Sequence, residues 1–581
     1  MPPPAVAAAD ASPATHTDST STSTSTSTST SSQSSSNALD AVNARPQPPP
    51  ETKESLWLRR SVILSFWAVV VLLGLPVWWR TTAIYRADLP LQGMTDWADG
   101  KSCKPVFPLR IAVEAPLSPQ EAHHLLRTTQ HALDDLNEFS AHHLRLMLAD
   151  PPLPANASQQ VVSDGIGSTR SDEDIALSIR LIPVETGTTP RSTLQPYSPT
   201  LDVYYMPNQI PSASSTGSPL ATYIAQELHK IFAEEQALLA SLLFSTSGVH
   251  TAKIKSLSAE TAAELKRQST RALKYAPTYH LTFSLFTPTF APSGWDIESA
   301  LQQYLTPLLE SFSAISNFTV DTQVQLYATF SPSIHQPEYD EDLRSWSLRK
   351  EDLSGFINAA EWPLSPSIGK GPTVNFVLFV PDQNQSPLLV KENGGNSWLI
   401  PQWGGVFILN PPRDSDTPRI LGKEALTPAF HTFSNQLLSL LGLPQTPASL
   451  PLRLSTLKRV RAASLIFSAS STLGALARLY QALPSIPVPD TVAKSVDLTT
   501  SHLQQACDHL REGRFQGALE HARTAEAAAE KAFFERSMVG QVYFPDEHKV
   551  AVYMPLLGPV AVPLVMAALK ELKSIISGLR K

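Results

Sequence analysis

Residues 62–79 read VILSFWAVVVLLGLPVWW, and residues 550–569 read VAVYMPLLGPVAVPLVMAAL. Neither run contains a charged residue, and a helix of about 20 residues is long enough to cross the ~30 Å hydrocarbon core of a bilayer. The residues between the two runs, 80–549, offer no comparable apolar stretch. This layout predicts transmembrane helices at 60–80 and 550–570, with a large water-exposed block between them.

The positive residues near the two runs predict the orientation. About 60 residues precede the first run and no small-residue cleavage pattern follows it, so it is predicted to be an uncleaved anchor. Two spans place both termini on one side, so the flanking charges are counted together. The tails carry Lys53, Arg59, Arg60, Lys570, Lys573, Arg580 and Lys581. The block carries Arg80, Arg86, Arg536 and Lys549. The bias predicts a two-pass protein with cytosolic termini and a lumenal block.

Three N-x-S/T sequons lie in the predicted lumenal block, at Asn156, Asn317 and Asn384. They are the acceptor pattern for N-glycosylation in a lumenal or extracellular segment. Asn317 has the most favourable context, whereas Pro387 follows the third sequon directly and disfavours its use. The alternative for Asn317 is an unmodified residue at the start of a strand.

Composition limits the classes of function without naming a chemistry. With 581 residues, 42% of them hydrophobic, the chain can bury a sizeable core and form two or three domains. Its net charge of −7 argues against a nucleic-acid partner. The only cysteines are Cys103 and Cys507, which excludes a scaffold of many disulfides but leaves one bridge possible in an oxidising lumen.

Residues 1–55 show no apolar periodicity. The tract 19–36 reads STSTSTSTSTSTSSQSSS, and proline-rich residues follow at 46–50. Such a segment buries too little apolar surface to offset the entropy of ordering it. We therefore predict a disordered cytosolic tail, with a phosphorylated regulatory tail as the alternative.

Residues 100–425 alternate between strand and helix patterns, which predicts an α/β (α+β) domain. Ser118, Pro119 and Glu121 have the spacing of a capping box with proline in the first turn, and they predict a helix start. The predicted strands are 109–115, 175–184, 201–206, 279–286, 318–330 (half-buried), 374–380 and 405–409. The predicted helices are 118–147, 222–244, 258–273 and 296–313, the last with Asp296 as N-cap.

Residues 426–545 show only helical periodicity. Glycine and proline residues separate four apolar-patterned stretches, at 428–441, 454–479, 490–511 and 515–536. The sequence thus predicts a C-terminal helical segment that leads into the second span, followed by a short cytosolic tail at 571–581.

The second span contains Pro555, Pro559 and Pro563, four residues apart and therefore near one face of a helix. Each proline lacks a backbone donor and frees the carbonyl four residues earlier. Freed carbonyls are costly in lipid unless neighbouring groups satisfy them. The pattern is compatible with a kinked anchor, or with a helix packed inside a membrane assembly of several subunits.

Candidate catalytic groups do not converge on a site. His123, His124, His131, His142 and His143 fall in the predicted helix 118–147, where a solvated face is favoured over a metal site because no H-E-x-x-H spacing occurs. The acidic runs 172–174 and 338–342 are interpreted as exposed loops. Trp398 and Trp403 lie among turn residues as buried anchors or, alternatively, as partner contacts. We predict no catalytic residue, metal or cofactor.

Residues 275–328 read YAPTYHLTFSLFTPTFAPSGWDIESALQQYLTPLLESFSAISNFTVDTQVQLYA. The succession of YHLTFSLF, W-x-I, a helix and ISNFTVDTQVQ resembles the PIG-S family, a subunit of the glycosylphosphatidylinositol (GPI) transamidase. Residues 398–411 (WLIPQWGGVFILNP) and 436–444 (QLLSLLGLP) are similar as well. The resemblance extends from about residue 55 to the end and leaves the Ser/Thr tail as an extension.

The resemblance implies a non-catalytic subunit in the endoplasmic reticulum membrane, within a complex that replaces a C-terminal signal of a proprotein by a GPI lipid. The implied partners are a cysteine-protease-like catalytic subunit, PIG-T, PIG-U, a Gaa-type subunit and membrane lipid. Two alternatives stay open on the residues alone. One is a lumenal hydrolase or glycosyltransferase anchored at both ends, and the other is a free-standing lumenal binding module.

Overall fold

The structure is a computed structural model. It describes residues 52–74, 76–77, 80, 85–149, 175–185, 189–211, 215, 217–246, 263, 266–267, 270–353, 355–356, 371–411, 418–484, 486–538 and 547–579. Most of the predicted tail 1–55, most of the predicted helix 258–273, the acidic run 172–174 and the sequon at Asn156 lie outside these residues. The described residues form two compact units, one within residues 85–551 and one of residues 52–80 together with 552–579.

The larger unit confirms a mixed α/β fold with a helical C-terminal region. The helices of the described residues, numbered along the chain, are α1 (Lys53–Val69), α2 (Leu91–Ala98), α3 (Pro119–Leu136), α4 (Pro219–Thr246), α5 (Ile297–Ala300), α6 (Thr306–Ser311), α7 (Lys423–Leu440), α8 (Leu450–Ala482), α9 (Asp490–Glu512), α10 (Phe515–Phe533) and α11 (Glu547–Leu579). The first and last of these belong largely to the smaller unit.

The first sheet has five strands in the order β2-β1-β3-β5-β4. They are β1 (Phe107–Glu114), β2 (His142–Leu148), β3 (Ile175–Pro183), β4 (Arg191–Leu194) and β5 (Thr200–Tyr205). All neighbours pair in parallel except β4, which is antiparallel to β5. Alternate residues of β1 are fully buried in a core that also includes residues of α4 and the C-terminal helices. The strand periodicity therefore follows from one face packing against that core.

The predicted helix 118–147 is wrong in its second half, because α3 ends at Leu136 and β2 follows. Asn137 turns the chain: its Nδ2 donates to the carbonyl oxygen of His142 at 2.9 Å, and its Oδ1 accepts from the amide of Phe139 at 3.0 Å. Such side-chain bonds to the backbone compete with continuation of a helix. The next residues then pair in parallel with β1.

The second sheet also has five strands, in the order β13-β14-β11-β6-β8. They are β6 (Thr278–Phe286), β8 (Asn317–Gln325), β11 (Thr373–Phe379), β13 (Ser397–Ile400) and β14 (Gly404–Ile408). β6, β8, β11 and β14 run parallel, and β13 is antiparallel to β14. On one face Phe283 stacks between Phe376 and Phe430 at ring distances of 5.2 and 5.5 Å. α7 thus covers this sheet with aromatic contacts.

Strand β8 differs from the prediction for 318–330. It ends at Gln325, and most of its side chains are exposed rather than half-buried. The physical reason is its place at the end of the sheet order, where only β6 is a neighbour among the described residues. Alternation along β8 is therefore visible in the sequence, whereas its position at the edge is not.

Smaller elements lie between the strands of the second sheet. Predicted helix 296–313 is present but divided: α5, a π-helical turn at Leu301–Leu305, and α6. Two minor sheets have the orders β12-β10-β9 and β15-β7. Their strands are β7 (Gly294–Trp295), β9 (Glu338–Asp340), β10 (Ser345–Leu348), β12 (Leu388–Val390) and β15 (Ile420–Leu421). The acidic run 338–342, predicted as a loop, is exposed but begins as strand β9.

The four predicted C-terminal helices are confirmed as α7, α8, α9 and α10. α10 packs against both α8 and α9 through a row of buried alanines. Gly513 ends α9 in the left-handed conformation, at φ 80°, which glycine adopts without steric cost. Gly474 of α8 lies against Ala98 of α2, where an added Cβ would come within 2.4 Å of the Ala98 Cβ. Small residues thus let these helices pack closely.

Candidate functional site

Two helices of the described residues are long and apolar enough to cross a membrane, judged by length and composition alone. One is Lys53–Gly74, with a mean hydropathy of 1.8, and the other is Leu450–Ala482, with a mean hydropathy of 1.3. None of the apolar window of the first is buried, whereas 56% of that of the second is buried. The second is α8, a core helix of the larger unit. The first overlaps the predicted span 60–80.

The second predicted span, 550–570, lies within α11. Large apolar side chains of this helix face outward: Met554, Val560 and Val562 are 69, 67 and 62% exposed. α11 continues through Pro555, Pro559 and Pro563 as a single helix of 33 residues. The helix thus presents apolar surface together with backbone carbonyls that lack their helical donors.

One carboxylate joins the two helices of the smaller unit. Glu571 of α11, only 7% exposed, accepts from Arg59 Nε at 2.6 Å and from Arg60 Nε at 3.1 Å. Charge-assisted bonds of this kind are short and directional. The contact joins the N-terminal part of α1 to the C-terminal part of α11, so the start of α1 and the end of α11 lie toward the same end of the helix pair.

A second carboxylate cluster lies in the core of the larger unit. Glu235 of α4 accepts from Arg459 Nε at 2.5 Å and Nη2 at 2.6 Å, and from Thr456 Oγ1 at 2.6 Å. Glu235 and Arg459 are each 2% exposed, and His142 of β2 places Nε2 3.5 Å from the carboxylate. The Arg459 guanidinium also lies 5.2 Å from the Phe515 ring centroid. We call Glu235, Arg459, Thr456 and His142 the buried node.

The buried node fixes the ionisation of Glu235. Burial by itself raises the pKa of this carboxyl, but the Arg459 guanidinium and His142 more than offset it and hold the pKa well below its ordinary value. Glu235 therefore stays ionised, with its oxygens occupied by the arginine and the threonine. A carboxylate in this state bridges α4, α8 and β2, which is a structural role.

The adjacent residue on α4 holds a loop of the helical region. Glu234 accepts from the amides of Gln445 at 3.0 Å and Thr446 at 2.7 Å. Consecutive glutamates of one helix therefore bind the segment after α7 and the helix α8. These contacts integrate the helical region with the first sheet.

Cys103 and Cys507 are joined by a disulfide. Their Cα atoms are 6.2 Å apart, within the usual span of such a bond, and 404 residues separate them in sequence. The bridge connects the segment before β1 to α9. It attaches the helical region to the first sheet a second time.

The five histidines singled out in the sequence do not assemble. His123, His124 and His131 lie on α3, and the Nε2 of His124 lies 3.0 Å from the carbonyl oxygen of Ser215. His142 and His143 are instead in β2, and His142 belongs to the buried node. Among the described residues, no group of three or more His, Cys, Asp or Glu side chains is arranged to hold a metal ion.

The two sequons within the described residues differ in setting. Asn317 is exposed at the first position of β8, and the hydroxyl of Thr319 contacts His280 Nδ1. Asn384 lies in a 3₁₀ turn, but its sequon hydroxyl on Ser386 is buried and donates to the carbonyl of Pro411 at 3.0 Å. Both asparagines are exposed, but the hydroxyl residue of the sequon is exposed at Thr319 and buried at Ser386.

Trp398 and Trp403 both belong to a compact cluster. The indole nitrogen of Trp398 donates to the carbonyl oxygen of Leu353 at 3.2 Å, and its ring meets Phe356 edge-on at 5.1 Å. Trp403 is partly buried against the same cluster. Of the two interpretations drawn from the sequence, the buried anchor fits this geometry.

Comparison with known proteins identifies the family to which this chain belongs. The family model "PIG-S: Phosphatidylinositol-glycan biosynthesis class S protein" matches residues 65–578, which is most of the chain. The chain belongs to the PIG-S family. The match includes the larger unit, the second apolar run and all but the first three residues of the first run, and it leaves the Ser/Thr tract outside.

Individual PIG-S relatives match over nearly their whole length. The "GPI-anchor transamidase component PIGS" of Rattus norvegicus is 28% identical over 562 residues, covering 87% of this chain and 94% of the relative. The "GPI transamidase component PIG-S homolog" of Schizosaccharomyces pombe is 28% identical, with 89 and 85% covered. The "GPI transamidase component GPI17" of Saccharomyces cerevisiae is 25% identical, with 87 and 90% covered.

Sequence reasoning missed the buried node and the Arg59–Arg60–Glu571 cluster of this PIG-S chain. A signal for the first exists, because Glu235 stands between Ile231 and Leu239 at helical spacing, on an apolar face where a charge needs a partner. The partner itself, 224 residues away, carries no matching local pattern. Arg59 and Arg60 were counted only as flanking positive charges, and Glu571 was not singled out.

Proposed function

We propose that this chain is a non-catalytic subunit of GPI transamidase, acting in the assembly or support of the complex in the endoplasmic reticulum membrane. Membership of the PIG-S family, with relatives named transamidase components over nearly their full length, carries the proposal. In the reaction implied by the family, the complex cleaves a C-terminal signal from a proprotein and joins the new carboxyl end to a GPI lipid. The nucleophile for that step is assigned to a different subunit.

The polar groups of the core support a structural role for this chain. In the buried node, each oxygen of Glu235 already has a partner, and Arg459 is bound by the same carboxylate. A catalytic acid or base needs an oxygen or nitrogen atom that the substrate can reach, and a pKa near the working pH. In the buried node both carboxylate oxygens of Glu235 are already bound and its pKa is lowered, so the node stabilises the fold and does not act as a catalytic acid or base.

For topology, we propose two membrane spans, cytosolic termini and a lumenal block at about residues 100–545. The Arg59–Arg60–Glu571 cluster supports termini on one side, since it joins the first part of α1 to the last part of α11. A disulfide between Cys103 and Cys507 is compatible with an oxidising lumen. Asn317 is the preferred glycan acceptor, followed by Asn156 and Asn384.

For partners, we propose the cysteine-protease-like catalytic subunit, PIG-T, PIG-U, a Gaa-type subunit and membrane lipid. Within the membrane, we propose that α11 contacts the helices of these subunits through the face that carries Pro555, Pro559 and Pro563. Carbonyls freed by Pro555, Pro559 and Pro563 need donors, which helices of other subunits can supply with hydroxyl or amide side chains.

Purification of the tagged full chain in mild detergent tests this function. We expect a cysteine-protease-like protein and further membrane subunits to co-purify in fixed ratio, whereas recovery as a lone monomer would overturn the proposal. Endoglycosidase treatment tests the orientation. A mobility shift that is lost when Asn156, Asn317 and Asn384 are replaced is expected; no shift in the wild type would remove the glycan support for a lumenal block.

A further inference from the structure

Strand β8 forms a long open edge of the second sheet. It pairs with β6 over nine consecutive residues without a bulge, and it has no second neighbour among the described residues. The strand reads NFTVDTQVQ, which contains no proline and no lysine. Natural edge strands are usually short, bulged, charged or covered, because a bare edge pairs with other chains.

The backbone groups that face away from β6 can be assigned. The amide of Asn317 donates to the carbonyl of Pro277 at 2.9 Å, and the carbonyl of Gln325 accepts from the amide of Thr287 at 3.2 Å. In a parallel ladder alternate residues bond to the neighbouring strand. The N–H and C=O groups of the residues between them therefore point outward, and these residues are Phe318, Val320, Thr322 and Val324.

The other long outer strand shows what a covered edge looks like. On β2, the side-chain amide of Gln130 accepts from the amide of Leu146 and donates to the carbonyl of Leu144, both at 3.0 Å. For β8, no side chain of the described residues makes such a bond to the outward groups of Val320, Thr322 or Val324. These groups are available for an additional strand.

Aromatic side chains lie at the end of this edge. Tyr327 follows β8 with 69% of its surface exposed and a φ of 57°, an uncommon conformation for a residue with a side chain. Phe290 follows β6 and is 60% exposed. The amide of Ala328 bonds the carbonyl of Thr287 at 2.9 Å, so both loops leave the sheet at the same end. Exposed aromatics beside an open edge are typical of a contact surface.

We propose that β8 is a docking edge for an extended segment of another transamidase subunit, which adds as a sixth strand and contacts Tyr327 and Phe290. The unpaired backbone row fixes the occupant as a peptide in the β conformation. Val320 and Val324 require apolar residues at alternate positions of that segment. Asp321, the only charged residue of β8, requires a basic residue opposite it.

A second copy of this chain fits the edge less well. Two-fold antiparallel pairing along the whole strand would place Asp321 of one copy opposite Asp321 of the other, because this residue is the centre of Asn317–Gln325. Like charges directly opposite each other are destabilising. The edge therefore suits a different subunit. This inference rests on the proposed membership of the complex.

A glycan at the centre of the edge provides the test; Asn317, the proposed native acceptor, lies at the start of β8 with its amide bonded to Pro277 and is outside the outward row. Val320→Asn creates the sequon N-D-T at the centre of the edge, and Leu498→Asn creates N-T-T on the exposed side of α9 as the matched control. Both tagged full-length variants are purified in mild detergent with their glycans confirmed by endoglycosidase. We expect Val320→Asn to lose at least one other subunit by about tenfold or more, and Leu498→Asn to keep the wild-type ratio.

A second variant covers the case in which the sequons are not used. Val320→Lys with Val324→Lys places two charges on the edge without a glycan, and Leu498→Lys is its control. A tryptic digestion pattern unchanged from wild type verifies folding of each variant. Wild-type recovery of all subunits by the edge variants would overturn the docking edge and leave the proposed function standing.

Two other outcomes separate the explanations. Failure of the wild-type chain to recover any subunit would overturn the proposed function together with this inference. Recovery of a differently tagged copy of the same chain, lost on Val320→Lys with Val324→Lys, would assign the edge to self-association and overturn the proposed occupant.

Discussion

The two five-stranded sheets have similar strand arrangements but differ in how their outer parallel strands, β2 and β8, are covered. Each has parallel strands with one antiparallel strand at an end. At β2 of the first sheet, Gln130 and Asn137 side chains cover the outward backbone groups, and the buried node and the disulfide tie neighbouring helices in place. At β8 of the second sheet, no described residue covers the outward backbone groups of Val320, Thr322 and Val324. Side chains of the same chain thus satisfy the outer backbone groups of β2, whereas among the described residues those of β8 remain open to pairing with another strand.

The largest expected effect comes from breaking the buried node beside the first sheet. Glu235→Ala leaves the Arg459 guanidinium buried without its carboxylate, so we expect the free energy of unfolding to fall by about 3–5 kcal/mol. Chemical denaturation of the detergent-purified chain measures this. Asp508→Ala, which removes an exposed pair with Arg511, is the control and should cost less than about 1 kcal/mol. Equal effects of the two substitutions would contradict the role of the node.

Removal of the disulfide is the next test of the first sheet. With Cys103→Ser and Cys507→Ser together, we expect a loss of about 2–5 kcal/mol, because the bridge closes a loop of 404 residues in the unfolded chain. Thermal unfolding with and without reductant measures it: the wild type should be destabilised by reductant and the double variant should not. A wild type that is indifferent to reductant would contradict a structural bridge.

Gln130→Ala opens the edge of β2 and makes the first sheet resemble the second. It removes two hydrogen bonds to the backbone of Leu144 and Leu146, and we expect a cost of about 1–3 kcal/mol. Gln504→Ala, on an exposed face of α9, is the matched control and should change stability by less than about 0.5 kcal/mol. Hydrogen exchange should quicken at Leu146 in the first variant only.

A smaller, pH-dependent effect is expected in the helices next to the first sheet. His502 and His521 contact each other through Nδ1 atoms 2.8 Å apart, while His509 and Glu520 also face His521. Burial, and then the neighbouring imidazole, lowers the pKa of both His502 and His521. In the unfolded chain these two histidines bind protons at a higher pH than in the folded chain. The free energy of unfolding should therefore decline as pH falls below about 6.5, the ordinary pKa of histidine. His521→Gln should flatten the decline in a denaturation series from pH 7.5 to 5; an unchanged slope would contradict the coupling.

The smallest expected effect is at β8. Thr322→Lys changes an exposed residue whose backbone groups bond to none of the residues that the structure describes, so the free energy of unfolding should change by less than about 0.5 kcal/mol. The same denaturation experiment measures it. A loss above 1 kcal/mol would mean that the edge is already part of the folded core, and the contrast between the two sheets would disappear.

Local periodicity was enough to predict most helices and strands of the chain. Residue spacing alone predicted β6, from its run of strand-forming residues, and α8, from its apolar helical repeat. Both elements contribute buried residues to the core, which is why their patterns are clear. The strand β2 was missed because Leu144 and Met147 continue the apolar spacing of α3, whereas the turn at Asn137 and the pairing with β1 are not visible in the local pattern.

The sites were less predictable for a physical reason. The ion pairs join residues that are 224 and 512 positions apart, and no local pattern encodes such partners. Edge position has the same limitation, because alternation along β8 is compatible with either an inner or an outer strand. By contrast, Cys103 with Cys507 is the only disulfide that can form within the chain, since the sequence contains no other cysteine.

The contact between Glu571 and the two arginines has a consequence for biosynthesis. Arg59 and Arg60 are made early, while their carboxylate follows 512 and 511 residues later. The helix pair can close only after the ribosome has released α11. Chains that terminate before α11 keep both arginines without this carboxylate, so the ion pair can form only in chains whose translation has reached α11.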